Sequence, residues 1–220
     1  MKIVLSSPLL RYIRCVSIEL LFEQIQSLLE SSNPRTIIGI VGKPGAGKST
    51  VVAKIAESFS PSEVCVIPMD GYHLSNEELF ELGRRDRKGA PDTFDTVAFT
   101  ELIKRVKQDH ISDHRFPIFH REIEASKADE GLVPSESKVV VIEGNYLFSQ
   151  DHNWGNIYPL LDHTWFIEID DELRMSRLIA RHIKFGKTPE EAEDWSRGSD
   201  EANAEFIEKT SNRAENIIKL

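Results

Sequence analysis

Only two cysteines, Cys15 and Cys65, occur in 220 residues, too few for a disulfide-stapled scaffold. Cys65 lies inside the apolar run Val64–Pro68, where a reduced thiol behaves as a small hydrophobe. A reducing, cytoplasmic setting is therefore the expectation. No apolar run reaches the roughly 20 residues that cross a bilayer, so no membrane association is expected. Near the N-terminus, Ile3, Val4 and Leu5 are interrupted by Ser6, Ser7 and Pro8 and followed by Arg11 and Arg14, too short and broken for a signal peptide. Positive charge is scarce as well. The formal net charge is -9, so the molecule as a whole repels phosphate polymers and nucleic acid is not an expected partner. Any phosphate site has to be built locally. Internal repeats, low-complexity tracts and composition shifts that would mark a second domain are all missing.

The composition that is there, 40% hydrophobic and 29% charged, is that of a globular protein. A chain of this length buries roughly 70% of its unfolded surface around one core, so residues 1–220 are read as a single domain. Ile18, Leu21, Phe22, Ile25, Leu28 and Leu29 recur at helical spacing until Asn33-Pro34 stops them, which makes 1–35 an N-terminal helical extension. Short apolar runs at 36–41, 64–68, 139–143 and 164–169 read as interior strands of a parallel sheet. Between them helix starts are marked by Ser75 with Glu78, by Asp170, and by Thr188, Pro189 and Glu191. This is an α/β pattern. From about 110 to 138 the periodicity fails around Pro117, Gly131 and Pro134, so a loop-rich insert on the substrate side is expected there. His110 and His114 stand four apart, but no carboxylate or cysteine completes a metal set, and a solvated pair is the reading.

The strongest motif is Gly42-Lys43-Pro44-Gly45-Ala46-Gly47-Lys48-Ser49-Thr50, a complete phosphate-binding loop between a predicted strand and a predicted helix. Its glycines let the backbone wrap with N-H groups inward, and the helix beginning near Lys48 adds its positive end. Lys48 is expected to reach the β and γ phosphates of ATP. Ser49 is expected on a Mg²⁺ ion bridging those oxygens, with Thr50 near the α phosphate. The loop alone does not separate kinases from ATPases, GTPases or motors.

Asp70 follows the run Val64–Pro68, at the carboxyl end of a strand where open α/β sheets bind ligands. There it can accept a proton from a hydroxyl attacking the γ phosphate and help place the metal; alternatively it caps a turn with Gly71. Glu143 closes the run at 139–142 and reads as a second acid acting on Mg²⁺ through water, or as a strand-end carboxylate in solvent. Arg174, Arg177 and Arg181, three and four apart, line one face of a predicted helix. That face either converges on phosphate or is the solvated side of an amphipathic helix.

Taken together, Asp70-Gly71-Tyr72-His73, the stretch from Arg87 through Lys88, Gly89 and Pro91 to Asp95, Pro117-Ile118-Phe119-His120-Arg121 and Glu143-Gly144-Asn145-Tyr146-Leu147 resemble the phosphoribulokinase and uridine kinase branch of P-loop kinases. The resemblance is strongest to bacterial proteins called fructose transport system kinases or nucleoside kinase-like proteins, with type I pantothenate kinase a more distant cousin. It implies a three-layer P-loop NTPase fold, a central parallel sheet flanked by helices, with a lid at about 171–198. It also implies Asp70 as catalytic base and a substrate pocket holding Tyr72, His73, Phe119, His120 and Arg121, with 87–95 packed over it. In close relatives an acid usually precedes the arginine of the Pro-x-Phe segment, where this chain has His120. The resemblance further implies lid arginines closing on the transferring phosphoryl group, Arg177 and Arg181 being the preferred pair, with Gly186 as hinge. Asn203 would approach substrate or lid, and the loop carrying Arg213, before a final strand at 217–218, would lie near the adenine. Members of the branch are often dimers or tetramers, so a homo-oligomer is among the arrangements implied.

The resulting expectation is an ATP- and Mg²⁺-dependent kinase acting on a hydroxyl of a small metabolite such as a sugar, a nucleoside or a pantothenate-like compound. The competing expectation is an ATP-binding hydrolytic or regulatory switch with no small-molecule acceptor.

Overall fold

The computed structural model describes residues 14–220; the segment weighed above as a signal peptide lies outside the described residues, apart from Arg14. Strands β1 (Arg14–Val16), β2 (Thr36–Gly42), β3 (Val64–Pro68), β6 (Val139–Glu143), β7 (His163–Glu168) and β8 (Asn216–Lys219) form one sheet in the order β1-β8-β7-β2-β6-β3. Every pairing in it is parallel. The period of two along β2 sends Ile37 and Val41 into one core and Ile38 and Ile40 into the other. Helices α1 (Ile18–Glu30) and α2 (Lys48–Ser58) cover the second core with Leu21, Ile25, Val51 and Ile55. On the opposite face α4 (Thr96–Gln108) contributes Phe99, Leu102, Ile103 and Val106, and α7 (Glu201–Glu208) contributes Ile207. The result is a three-layer α/β sandwich. Because the strands are parallel, Gly42, Pro68, Glu143 and Glu168 all end at one edge, where the site is built.

The insert is the first departure from expectation. Residues 110–138 are not a loop but an antiparallel ribbon of β4 (His114–His120) and β5 (Ala125–Val133). Phe116 packs against Gly131 so closely that an added Cβ there would lie 2.2 Å from its ring. Gly131 and Pro117, read as loop punctuation, are strand residues at a close packing contact and a register shift.

Beneath the sheet, Arg35 is 6% exposed and spends all five guanidinium donors on main-chain carbonyls. Nε donates to Ser137, Nη1 to Val106 and Asp109, Nη2 to Pro134 and Ser135, at 2.8–3.2 Å. It thereby ties the end of α4 to the turn that feeds β6. Arg35→Ala strands those buried carbonyls and is expected to cost about 3 kcal/mol, lowering Tm by roughly 6–12 °C in differential scanning calorimetry. A shift below about 2 °C would mean that water replaces the guanidinium at little cost.

Candidate active site

The loop between β2 and α2 turns on two glycines with positive φ, Gly45 (81°) and Gly47 (94°). Gly45 is also pressed by the helix α5 (Asp171–Lys184): a Cβ there would lie 2.8 Å from Leu178 Cγ and 2.9 Å from the Arg174 carbonyl. α5 therefore rests directly on the phosphate loop. Lys48 is buried at the start of α2, its Nζ donating to the carbonyls of Gly42 (2.8 Å) and Lys43 (3.3 Å) and lying 3.8 Å from Glu143. Burial lowers the pKa of this ammonium, opposed by Glu143 and Asp70. Ser49 and Thr50 follow it, exposed. Lys43 turns outward from the loop to Asp171 (2.7 Å) and Glu208 (3.2 Å), bracing α5 and α7.

Beyond β3 the chain makes a short 3-10 turn, Met69–Tyr72, that lifts Asp70 into the cleft. Gly71 admits no side chain, since a Cβ would fall 2.0 Å from the Pro117 carbonyl; the ribbon packs on this turn. The Asp70 carboxylate makes no capping bond. It meets Arg121 at 2.6 Å and is 30% exposed. Burial pushes its carboxyl up, but surrounding cations outweigh that and hold it below the usual range. Burial also lowers His73, whose Nδ1 lies 2.8 Å from the Asp70 carbonyl. A neutral imidazole adds no charge, so Arg121, Lys48 and Arg181 are the cations that keep Asp70 ionised. Glu143, 8% exposed at the end of β6, has its carboxyl pushed up by burial, with Lys48 opposing and Asp70 reinforcing the shift.

Asp70, Lys48, Ser49, Glu143, His73, Phe119, Arg121, Arg181 and Asn203 all line one cleft of about 200 Å³. Several anticipated residues are elsewhere. Tyr72 points into the core, its ring 4.7 Å from Phe99, because three residues per turn put Asp70 and His73 on one side and Tyr72 on another. His120 faces away and pairs with Glu130 across the ribbon, since strand alternation puts Phe119 and Arg121 on the cleft side. Arg213 precedes β8 and lies by the start of β7, at the edge of the sheet opposite the phosphate loop. There it donates to the Phe148 carbonyl and stacks 3.8 Å above Tyr158, so it has no place near a bound nucleotide.

The arginine face also divides. Arg174 is 1% exposed and bonds Asp171 and Glu201, fastening α5 to α7. Arg177 is exposed over Gly47, and Arg181 alone enters the cleft. Sequence reasoning missed Arg85, Lys88, Glu124, His182 and Asp200, which also line it. Lys88 and Asp200 each stood in a stretch that resembles the family, Asp200 in the run to Asn203, which was the available signal; Arg85, Glu124 and His182 reach the cleft through packing.

For a metal, no group of three His, Cys, Asp or Glu among the described residues could hold an ion unaided. The exposed Ser49 hydroxyl with the Asp70 and Glu143 carboxylates is a hard, all-oxygen donor set. That suits a Mg²⁺ ion that shares its coordination with water and substrate phosphates.

A phosphate loop at the carboxyl edge of a parallel sheet, with one acid ending the adjacent strand β6 and another just beyond β3, the next strand over, defines a P-loop nucleotide-binding protein of the kinase type. The phosphoribulokinase / uridine kinase family model matches residues 37–220, and the chain belongs to that family. A Schizosaccharomyces pombe protein named "Putative uridine kinase" is 33% identical over 187 residues, covering 80% of this chain and 79% of its own. The Escherichia coli protein YggC is 30% identical over 200 residues, 87% of this chain and 81% of its own. Among solved structures, a "putative fructose transport system kinase" from Silicibacter sp. TM1040 superimposes with TM-score 0.82 at 31% identity, over 92% of this chain and 98% of that one. YFH7 of Saccharomyces cerevisiae shares the fold, with TM-score 0.77 at 21% identity over 93% and 99%. Among the described residues no helix is long and apolar enough to cross a membrane.

Proposed function

We propose that this kinase transfers the γ-phosphoryl group of ATP to a hydroxyl of a small metabolite, with Asp70 as general base. The observation that carries the reading is the joint placement of an ionised Asp70, Lys48 and Arg181 in one cleft beside the phosphate loop. As the acceptor oxygen bonds to the γ phosphorus, its proton passes to the Asp70 carboxylate and the bond to the β-bridging oxygen breaks, releasing ADP. Lys48, drawn from its loop carbonyls to the phosphates, and Arg181 meet the negative charge on the transferring oxygens. Ser49, with Asp70 and Glu143 through water, would hold Mg²⁺, which would supply positive charge to neutralise the nucleotide phosphates. Asn203 and His73 also line the cleft and are assigned to orient the alcohol.

The test is ADP release from purified protein with Mg-ATP, alone and with a panel of sugars, nucleosides, pantothenate and small hydroxy acids. One acceptor class should raise the rate well above the acceptor-free rate, by about 10²-fold for a base acting on a positioned alcohol. A rate that no acceptor changes would favour the hydrolytic switch instead.

A further inference from the structure

The cleft is lined by six Lys or Arg side chains against four Asp or Glu, although the chain's formal net charge is -9. Each carboxylate is already engaged: Asp70 by Arg121, Glu124 by Arg85, Glu143 by Lys48 and Asp200 by His182. Lys88, Arg181 and Lys187 are left with no carboxylate at ion-pair distance among the described residues. Arg181 and Lys187 belong to the lid side of the cleft. Lys88 stands on the other wall, with His73, Phe119 and Arg121.

Lys88 is held in place rather than loose in solvent. Its Nζ donates to Asn76 Oδ1 and to the Glu124 carbonyl, each at 2.7 Å. Both acceptors are neutral, and a third N-H remains. The next residue, Gly89, has φ 100°, gives its N-H to Thr93 Oγ1 at 3.0 Å and accepts Tyr146 O-H at 2.6 Å. Glu124 itself adopts φ 48°, unfavourable for a glutamate, at the ribbon turn that presents its carbonyl to Lys88. Burial disfavours the ammonium charge, partly offset by Glu124. The Phe119 ring between the two cations is no bare stacking platform. Lys88 Nζ lies 5.3 Å and Arg121 Cζ 6.0 Å from its centroid, and His73 packs on it at 4.8 Å.

We infer that the acceptor carries an anionic oxygen group of its own, a carboxylate or a phosphate ester, which Lys88 and Arg121 receive beside Phe119. The inference rests on the phosphotransfer reading above and narrows it, because a neutral sugar or nucleoside leaves Lys88 without a counter-ion. Arg121 links the two halves of the site. It holds Asp70 at 2.6 Å, so an anion drawn to Arg121 brings a nearby hydroxyl of the same small molecule to the base and competes with Asp70 for the guanidinium.

The test separates anion binding from turnover. Inorganic phosphate and glycolate, representing the two anion sources, are titrated calorimetrically into protein saturated with Mg²⁺ and β,γ-methylene ATP, which fills the phosphate loop. At least one should bind saturably, about tenfold or more weakly in Lys88→Met and near the wild-type level in Lys88→Arg. Binding of neither, or binding that Lys88→Met leaves unchanged, overturns the inference. In the ADP-release panel, hydroxy acids or phosphorylated sugars should be accepted, with Lys88→Met raising KM by about tenfold or more and changing kcat far less. Preference for a neutral sugar or nucleoside overturns the anionic acceptor but leaves phosphotransfer standing. Acceptor-independent hydrolysis that Asp70→Asn does not alter overturns phosphotransfer itself, and the titration then still decides whether the Lys88 site exists.

Discussion

Asp70→Asn is expected to lower acceptor-dependent ADP release by about 10²–10⁴-fold while ATP still binds. Asparagine keeps the size and the acceptor oxygen that Arg121 uses, so the 3-10 turn at Met69–Tyr72 and the ribbon packed on Gly71 are not disturbed. What disappears is a carboxylate that the neighbouring cations hold ionised, and with it the acceptor for the alcohol proton. Removing a negative charge beside Lys48 and Arg181 leaves the cleft more attractive to a polyanion, so the affinity for ATP should be unchanged or higher. Lys48→Ala is the contrast: it removes the ammonium from the phosphate loop itself, and both binding and turnover should go. Kinetics and a fluorescent-nucleotide titration on the two variants decide the matter. Equal loss of ATP binding in Asp70→Asn would count against residue 70 as the base, because the lost turnover would then follow from lost nucleotide.

How much of this could be read in advance depended on how local the chemistry was. The phosphate loop, the four apolar strands and the helix starts are written in neighbouring residues, and the reciprocal caps of Ser75 with Glu78 and Thr188 with Glu191 form as their spacing predicts. The ribbon was not legible, because β5 is mostly exposed and polar and the buried side is reported by only a few residues, His114 and Phe116 on β4 and Gly131 and Val133 on β5. Tyr72 and His120 sit in motifs that do meet the cleft, but the three-residue period of a 3-10 turn and the two-residue period of a strand aim these two side chains away from it. Arg213 precedes a strand whose direction alone decides which sheet edge it joins. Lys88 shows the converse: its motif was visible, but its two neutral partners come from α3 (Asn76–Glu81) and from the ribbon turn, far apart in sequence.

Arg181 and Arg177 lie four residues apart on α5, and their consequences for turnover should differ by about 10²-fold. Arg181 enters the cleft, makes no ion pair among the described residues, and has its charge disfavoured by burial and by Arg121. A guanidinium nevertheless stays protonated at any accessible pH, and Asp200, Asp70 and Glu143 offset its unfavourable charge only in part, so arriving anionic oxygens relieve it further. The relief is greatest as the γ-phosphoryl group is transferred, which is the condition for lowering a barrier and not merely improving binding. Arg181→Ala should accordingly reduce kcat by about 10²–10³-fold with a much smaller change in KM for ATP, and Arg181→Lys should recover only part of it because one point charge replaces a fork. Arg177 is solvent-exposed over Gly47, where water already screens its charge, and Arg177→Ala should stay within about threefold of the parent. Gly186, with φ 100°, ends α5 in the left-handed conformation that favours glycine. If Arg177 also reaches the phosphates during transfer, the two variants will lose kcat equally, and the division of the arginine face described above will not be the one that operates.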